Sequence, residues 1–286
     1  MGVKISIKNG YVIAERKKNK LNSIDHKFPK ISVGATQNIL MAASLASGKS
    51  TLKNCAIEPE VIDLINFLNK CGALIKVKNR TITVRGVEEL KLQDYKVIPD
   101  RIEAGSYILA TMATKGRLKL NNFNPKDLAL PLKLYKGMGL KIKKLSNSSY
   151  EIYCKTLKPI KKISTKEFPG YPTDLQAQLI ATQLKSGLKS KVVENIFENR
   201  FIHIPELRRF GANLSIKGNT VTIDKTSNLL GAEVMATDIR ASFSLIIAAM
   251  MSKGKTVINR IYHLDRGYED FDLKLKKCGV NISRKK

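Results

Sequence analysis

The sequence contains no tryptophan, three histidines and four cysteines in 286 residues, and each scarcity removes a class of function. Without tryptophan, with aromatic residues at 6% and with no aromatic-basic interleaving of the kind that stacks bases, the chain lacks the platforms on which single-stranded nucleic acid binds. Cys55, Cys71, Cys154 and Cys278 form no C-x-x-C pair and stand at no zinc-finger spacing from a histidine, so they read as core thiols and no metal site is expected. No apolar run reaches the roughly 18 residues of a membrane helix. The longest, ASFSLIIAAMM at 241–251, reads as a buried helix. No basic stretch leads into an apolar one at the amino terminus, and the expected location is the cytoplasm.

Positive charge, by contrast, is abundant. A net charge of +27 invites a nucleic-acid partner. Of the 51 basic residues, however, 39 are lysines scattered over nearly every segment, the pattern of a solvated surface that also draws in a small anionic substrate. The length exceeds what one core usually organises, so two domains are expected.

Two glycine markers recur. The first appears in ASGKST at Gly48, TKGRLKL at Gly116, KSGLKSKVV at Gly187 and SKGKTVI at Gly254, at spacings of 68, 71 and 67. The second follows in CGALIKV at Gly72, MGLKIKK at Gly139, FGANLSI at Gly211 and CGVNISR at Gly279, at spacings of 67, 72 and 68. A period this constant marks a repeated supersecondary unit. Within each copy a small-residue helix such as NILMAASLA ends near the first glycine, taken as a left-handed C-cap, and a β-branched strand follows. An amphipathic helix such as VIDLINFLNK then ends at the second glycine and leads into a hairpin, ALIKVKNRTITVRG, turned at Asn79-Arg80. The order is βαβαββ. Gly2 lies 70 residues before Gly72, so GVKIS reads as the closing strands of a preceding copy, and CGVNISR as a last copy ending after its first closing strand.

ASGKST imitates the end of a phosphate-binding loop, but the first glycine of that motif would fall on Ala43, and Gly48 ends a helix instead of opening one. Nucleotide hydrolysis there is excluded.

Four stretches carry a resemblance: PKISVGAT at 29–36, PGYPTDLQAQ at 169–178, FENRFIHIPEL at 197–207 with VMATDIRAS at 234–242, and RIYHLDRGYED at 260–270. In that order they resemble the UDP-N-acetylglucosamine 1-carboxyvinyltransferases, a branch of the enolpyruvyl transferase family, along the chain from about Gly2 to Lys286. The resemblance implies an α/β (α+β) fold: two inside-out α/β barrel domains of three βαβαββ repeats each, with substrates between them. Residues 1–99 would then be a partial first domain and 100–286 the second, whose last repeat lacks its closing strand. The implied reaction moves the enolpyruvyl group of phosphoenolpyruvate to the 3-hydroxyl of UDP-N-acetylglucosamine, the opening step of peptidoglycan synthesis, with no cofactor.

By the same resemblance Asp174 is the base for the sugar hydroxyl, although an Asp at a helix start is also a good N-cap. Asp238 and Arg240 line the site, where unaided they suggest a cap and a surface ion pair. Arg266 holds phosphoenolpyruvate, a task suited to a permanently charged, bidentate guanidinium. Lys30, Ile31, Ser32, Val33 and Gly34 grip the uridine diphosphate at a helix start with free N–H groups. Arg101, Thr173, Ile196 and Phe197 are further substrate contacts, the last two equally readable as core residues. Arg200 is placed in the cleft, and His203 and His263 in structural hydrogen bonds. Where relatives carry a basic residue before Glu-Pro-Glu, this chain has Ile57. The family's cysteine proton donor has no counterpart among the four cysteines. It would precede Met1, so a separate chain carrying the amino-terminal repeats is an expected partner, and an apolar face is expected to be exposed within 1–99. The alternatives are a non-catalytic module that binds UDP-sugars, and the sister enzyme that makes 5-enolpyruvylshikimate 3-phosphate.

Overall fold

The structure is a computed structural model that describes residues 1–16 and 20–285. It divides into two compact units, Met1–Ile98 and Pro99–Lys286.

The first unit opens with a hairpin, β1 (Val3–Lys8) against β2 (Tyr11–Arg16). One complete repeat follows: β3 (Asp25–Lys27), α1 (Val33–Ser44), β4 (Lys49–Lys53), α2 (Pro59–Lys70), β5 (Leu74–Lys78) and β6 (Thr81–Arg85). Its sheet runs β3-β4-β6-β5, with β3 and β4 parallel and the other pairs antiparallel. A parallel pair needs a crossover, which α1 supplies. Asn79 takes φ 53° to turn the β5–β6 hairpin. Leu40, Leu52, Val61, Ile65, Ile82 and Val84 pack in the core of this unit. On the β1–β2 hairpin, register places Ile5, Ile7 and Val12 on one face, and all three are largely exposed.

In the second unit the first repeat comprises α3 (Arg101–Ala113), β7 (Arg117–Leu120), α4 (Ala129–Gly137), β8 (Lys141–Lys144) and β9 (Tyr150–Tyr153), giving a three-stranded sheet ordered β7-β9-β8. The next comprises β10 (Lys162–Ser164), α5 (Gln176–Gln183), β11 (Ser190–Val193), α6 (Ile204–Arg209), β12 (Leu214–Lys217) and β13 (Thr220–Ile223). Its order, β10-β11-β13-β12, reproduces that of the complete repeat in the first unit. The last comprises β14 (Glu233–Met235), α7 (Ala241–Met251), β15 (Val257–Asn259), α8 (Tyr262–Asp265) and α9 (Phe271–Lys277), with β14 and β15 parallel. The closing strand expected after Gly279 is absent: residues 280–285 adopt no regular structure, and no described strand pairs with them.

The repeats turn their small-residue helices inward. All eight residues of α5 are buried, as are eleven of thirteen in α3 and nine of eleven in α7, and these three helices contact one another. A helix buried all round cannot be amphipathic, which explains the uniformly apolar or small composition of ASFSLIIAAMM. Gly105 is one reason they fit: a Cβ there would stand 2.6 Å from a methyl of Leu175. Fully burying each large apolar side chain here contributes about 1.5–3 kcal/mol.

The two glycine markers prove physically different. Gly72, Gly139, Gly211 and Gly279 each directly follow the C-cap of an amphipathic helix at φ of 84° to 109°, the left-handed position of a helix end. The first marker lies in the turn beyond the helix instead of at its cap, and in the copy at Gly116 the left-handed residue is Lys115.

Candidate active site

The three inner helices of the second unit begin alike, in PDRIEA, PTDLQA and ATDIRA. Asp100 caps α3, its Oδ1 accepting from Ile102 N at 2.7 Å. Asp238 stands three residues before α7 and ties down the turn that enters it, its Oδ1 accepting from Arg240 N at 2.8 Å and Ala241 N at 2.7 Å. Asp174 breaks the pattern. It sits in a 3-10 turn, Thr173–Leu175, and its Oδ1 accepts from Arg200 Nη2 at 2.6 Å, so the expected cap gives way to a charged pair. Arg240 ties these starts together, with Nη2 3.5 Å from Asp100 Oδ2 and its guanidinium 5.5 Å over the Tyr268 ring.

Beside these helix starts opens a cavity of about 620 Å³. Asp174, Asp238, Arg240 and Arg266, the four residues expected to be catalytic, all line it together with Phe197 and Arg200. Three carboxylates, those of Asp174, Glu198 and Asp238, thus share a wall with three guanidiniums, a lining that offers cations to an anionic molecule and an oxygen base beside them. Burial alone would lower the Arg240 pKa, but the Tyr268 hydroxyl and the carboxylates of Asp100 and Asp174 more than offset it and hold the guanidinium charged. Phe197 is 56% exposed and lies 4.9 Å under the Arg200 guanidinium, which discards the core reading of this residue.

The other expected contacts fall elsewhere. Thr173 and Ile196 lie behind the cavity wall, half-buried, the Thr173 hydroxyl between Arg200 and Glu194. Arg101 is buried with its guanidinium 5.8 Å from the Phe168 ring centroid and does not line the cavity. Lys30, Ile31, Ser32, Val33 and Gly34 form the start of α1 in the first unit. Ser32 is its N-cap, Oγ accepting from Ala35 N at 3.2 Å, while Ile31 and Val33 pack on the core and no acidic residue occupies the first turn. His263 lines the cavity. His203 overturns an expectation: it is wholly buried, and neither ring nitrogen has a hydrogen-bond partner among the described residues. Burial lowers its pKa to about 4.

Glu194 escaped the sequence reading. It is 3% exposed, at the end of β11 between two loops of the site. A carboxylate directly after the valine pair of the strand SKVV is the one trace it leaves in the sequence. Among the described residues no cluster of His, Cys, Asp and Glu could hold a metal ion, and no helix is long and apolar enough to cross a membrane.

The fold has close counterparts. An enolpyruvyl transferase, NikO from Streptomyces tendae, superposes with a TM-score of 0.87 at 24% identity, over 99% of this chain and 69% of that one. The EPSP synthase of Acinetobacter baumannii superposes at 0.73 with 16% identity, over 99% of this chain and 69% of that one. Layered repeats with buried inner helices are therefore the inside-out α/β architecture of enzymes that transfer enolpyruvyl groups. A sequence model of the EPSP synthase (3-phosphoshikimate 1-carboxyvinyltransferase) family matches residues 1–275. Proteins named UDP-N-acetylglucosamine 1-carboxyvinyltransferase are 50% identical in Pelagibacter ubique, over 99% of this chain and 68% of that one, and 44% identical in Bartonella henselae, over 99% and 66%. The chain belongs to the enolpyruvyl transferase family, on the branch of the UDP-N-acetylglucosamine 1-carboxyvinyltransferases. It spans about two thirds of the length of those relatives.

Proposed function

We propose that this chain takes part in transferring the enolpyruvyl group of phosphoenolpyruvate to the 3-hydroxyl of UDP-N-acetylglucosamine, the opening step of peptidoglycan synthesis. The observation that carries the reading is the convergence of Asp174, Asp238, Arg240 and Arg266 on one cavity, in a chain half identical to a relative of that name. Asp174 takes the proton of the sugar hydroxyl as its oxygen bonds to the enol carbon and the methylene gains a proton. The resulting tetrahedral ketal then loses phosphate and a methyl proton to restore the double bond. Asp238 faces the reacting carbons, and Arg240 and Arg266 hold the carboxylate and phosphate as charge shifts between them. Phe197, on the cavity wall, meets the nucleotide sugar; for Lys30 to Gly34, Arg101, Thr173 and Ile196 a part in holding it rests on the family resemblance alone.

Cys55, Cys71, Cys154 and Cys278 are all free, and none lines the cavity. Unpaired thiols support a cytoplasmic setting. The acid that protonates the methylene is, in this reading, supplied by a separate chain matching the remaining third of the relatives. The exposed apolar face of Ile5, Ile7 and Val12 supports such a partner.

Titration calorimetry with UDP-N-acetylglucosamine, followed by a phosphate-release assay with and without the amino-terminal third of the Pelagibacter relative, tests the proposal. Binding plus release on adding that third is the expected result. Binding with no release in any combination would leave a UDP-sugar-binding module, and turnover with shikimate 3-phosphate in place of the nucleotide sugar would overturn the substrate assignment.

A further inference from the structure

Glu194 contributes an acceptor to three separate segments of the second unit. Its Oε1 accepts from Thr165 Oγ1 at 2.9 Å and from the backbone N–H groups of Ile196 and Phe197 at 2.8 and 3.1 Å. Its Oε2 accepts from Thr173 Oγ1 at 2.7 Å. All four donors are neutral, so the carboxylate works here by direction instead of by pairing with a cation. Thr165 is fixed in turn, its hydroxyl accepting from Asn195 N at 2.8 Å.

The Thr173 arm continues. A hydroxyl has one hydrogen. That of Thr173 is committed to Glu194, which turns its lone pairs to Arg200 Nη1 at 2.9 Å. The same guanidinium donates through Nη2 to Asp174 Oδ1 at 2.6 Å, and its plane lies over Phe197. Donor directions therefore diverge at the Arg200 guanidinium, to Asp174 on one side and through Thr173 to the buried carboxylate on the other.

We propose that Glu194 is a positioning residue, which through Thr173 and Arg200 aims the Asp174 carboxylate while its second oxygen holds the Ile196–Phe197 backbone. The proposal rests on the reading of Asp174 and Phe197 as the groups that meet the nucleotide sugar. Nothing in it requires Glu194 to touch substrate. The carboxylate joins the aim of the base to the place of the aromatic wall, so one buried side chain keeps both in register.

Glu194→Gln isolates one arm. The amide oxygen stays with Thr165 and the two backbone donors, since the amide nitrogen in that place would face three donors. The nitrogen then points at Thr173, whose hydroxyl must accept from both Gln and Arg200 and loses the acceptor for its own hydrogen. Thr173→Val cuts the same arm from the other side, and Thr173→Ser keeps it.

The first readout needs no ligand. In the NMR spectrum of the ligand-free chain, the Arg200 Nη hydrogens of the wild type exchange slowly with water; they exchange fast in Glu194→Gln and Thr173→Val and stay slow in Thr173→Ser, with melting temperatures unchanged within a few degrees. Fast exchange in the wild type, or slow exchange in Glu194→Gln, overturns the relay whatever the chain binds. The second readout is calorimetry with UDP-N-acetylglucosamine. Glu194→Gln and Thr173→Val each weaken binding about tenfold, and the double variant weakens it no further, because both break one chain of contacts. Wild-type binding with multiplied losses in the double variant overturns the coupling. A wild type with the relay intact and no binding overturns instead the functional reading on which it was built.

Discussion

Arg200 Nη2 donates to Asp174 Oδ1 across 2.6 Å, and the two side chains are 21% and 39% exposed. At that exposure solvent screens the pair, and its contribution to stability stays below about 1 kcal/mol. Its value is geometric: the carboxylate that faces the cavity is held in one direction.

Asp174→Asn therefore separates chemistry from folding. The variant should melt within a few degrees of the wild type, while phosphate release, reconstituted as described above, falls by about 10²-fold or more, the usual contribution of a positioned base. Unchanged turnover would remove Asp174 from the proton transfer.

His203 makes a stability prediction with a defined pH window. An ordinary histidine titrates near 6.5, and burial holds this one to about 4. Above pH 6.5 both the folded and unfolded forms are neutral, and the group imposes no penalty. As the pH falls from 6.5 towards 4 the unfolded chain gains a proton that the fold refuses, and about 3 kcal/mol is lost across that window. Because both ring nitrogens lack hydrogen bonds, His203→Leu leaves no donor stranded and should be neutral or stabilising at pH 7. Urea melts at pH 7 and pH 4.5 should show a smaller acid loss in the variant than in the wild type. Equal losses would disprove the buried, neutral ring.

Gly86 lies against the backbone of Ala46, and a Cβ there would stand 1.6 Å from the Ala46 carbonyl oxygen. Backbone cannot step aside as a side-chain tip can. Gly86→Ala should cost about 3 kcal/mol and unfold the first unit ahead of the second, visible as a new low-temperature transition in calorimetry. A single unshifted transition would count against this packing.

The β1–β2 hairpin presents Ile5 at 60%, Ile7 at 77% and Val12 at 69% exposure. Replacing Ile7 with Lys removes no buried area, so the melting temperature should not move while binding of a hydrophobic dye and self-association both fall. A drop of more than about 1 kcal/mol in stability would mean that Ile7 is covered in solution.

Much of this architecture was legible because it repeats. The glycines at 72, 139, 211 and 279 recur where an amphipathic helix ends in a left-handed residue, a steric demand that favours one residue type at one spacing. Asp174, Asp238, Arg240 and Arg266 stood out because short motifs around them resemble a family, and the cavity gathers all four. Other features have no local signature. Glu194 matters through hydrogen bonds to residues 2 to 29 positions away, an arrangement that no window of sequence displays. His203 looked like a hydrogen-bonding residue because histidines usually are, and only its complete enclosure showed otherwise. The segment after Gly279 has the alternation of a strand, but alternation states a preference that only a paired neighbour can satisfy.

Two of the cavity's walls come from the turns that lead into helices in successive copies of one motif, so each can change on its own. Altering the turn that leads into α7 would recast the side bearing Asp238 and Arg240 and leave the side bearing Asp174 intact. A scaffold built by duplication can in this way exchange the molecule it accepts piecemeal, one panel at a time, without reopening the interior that holds the panels together.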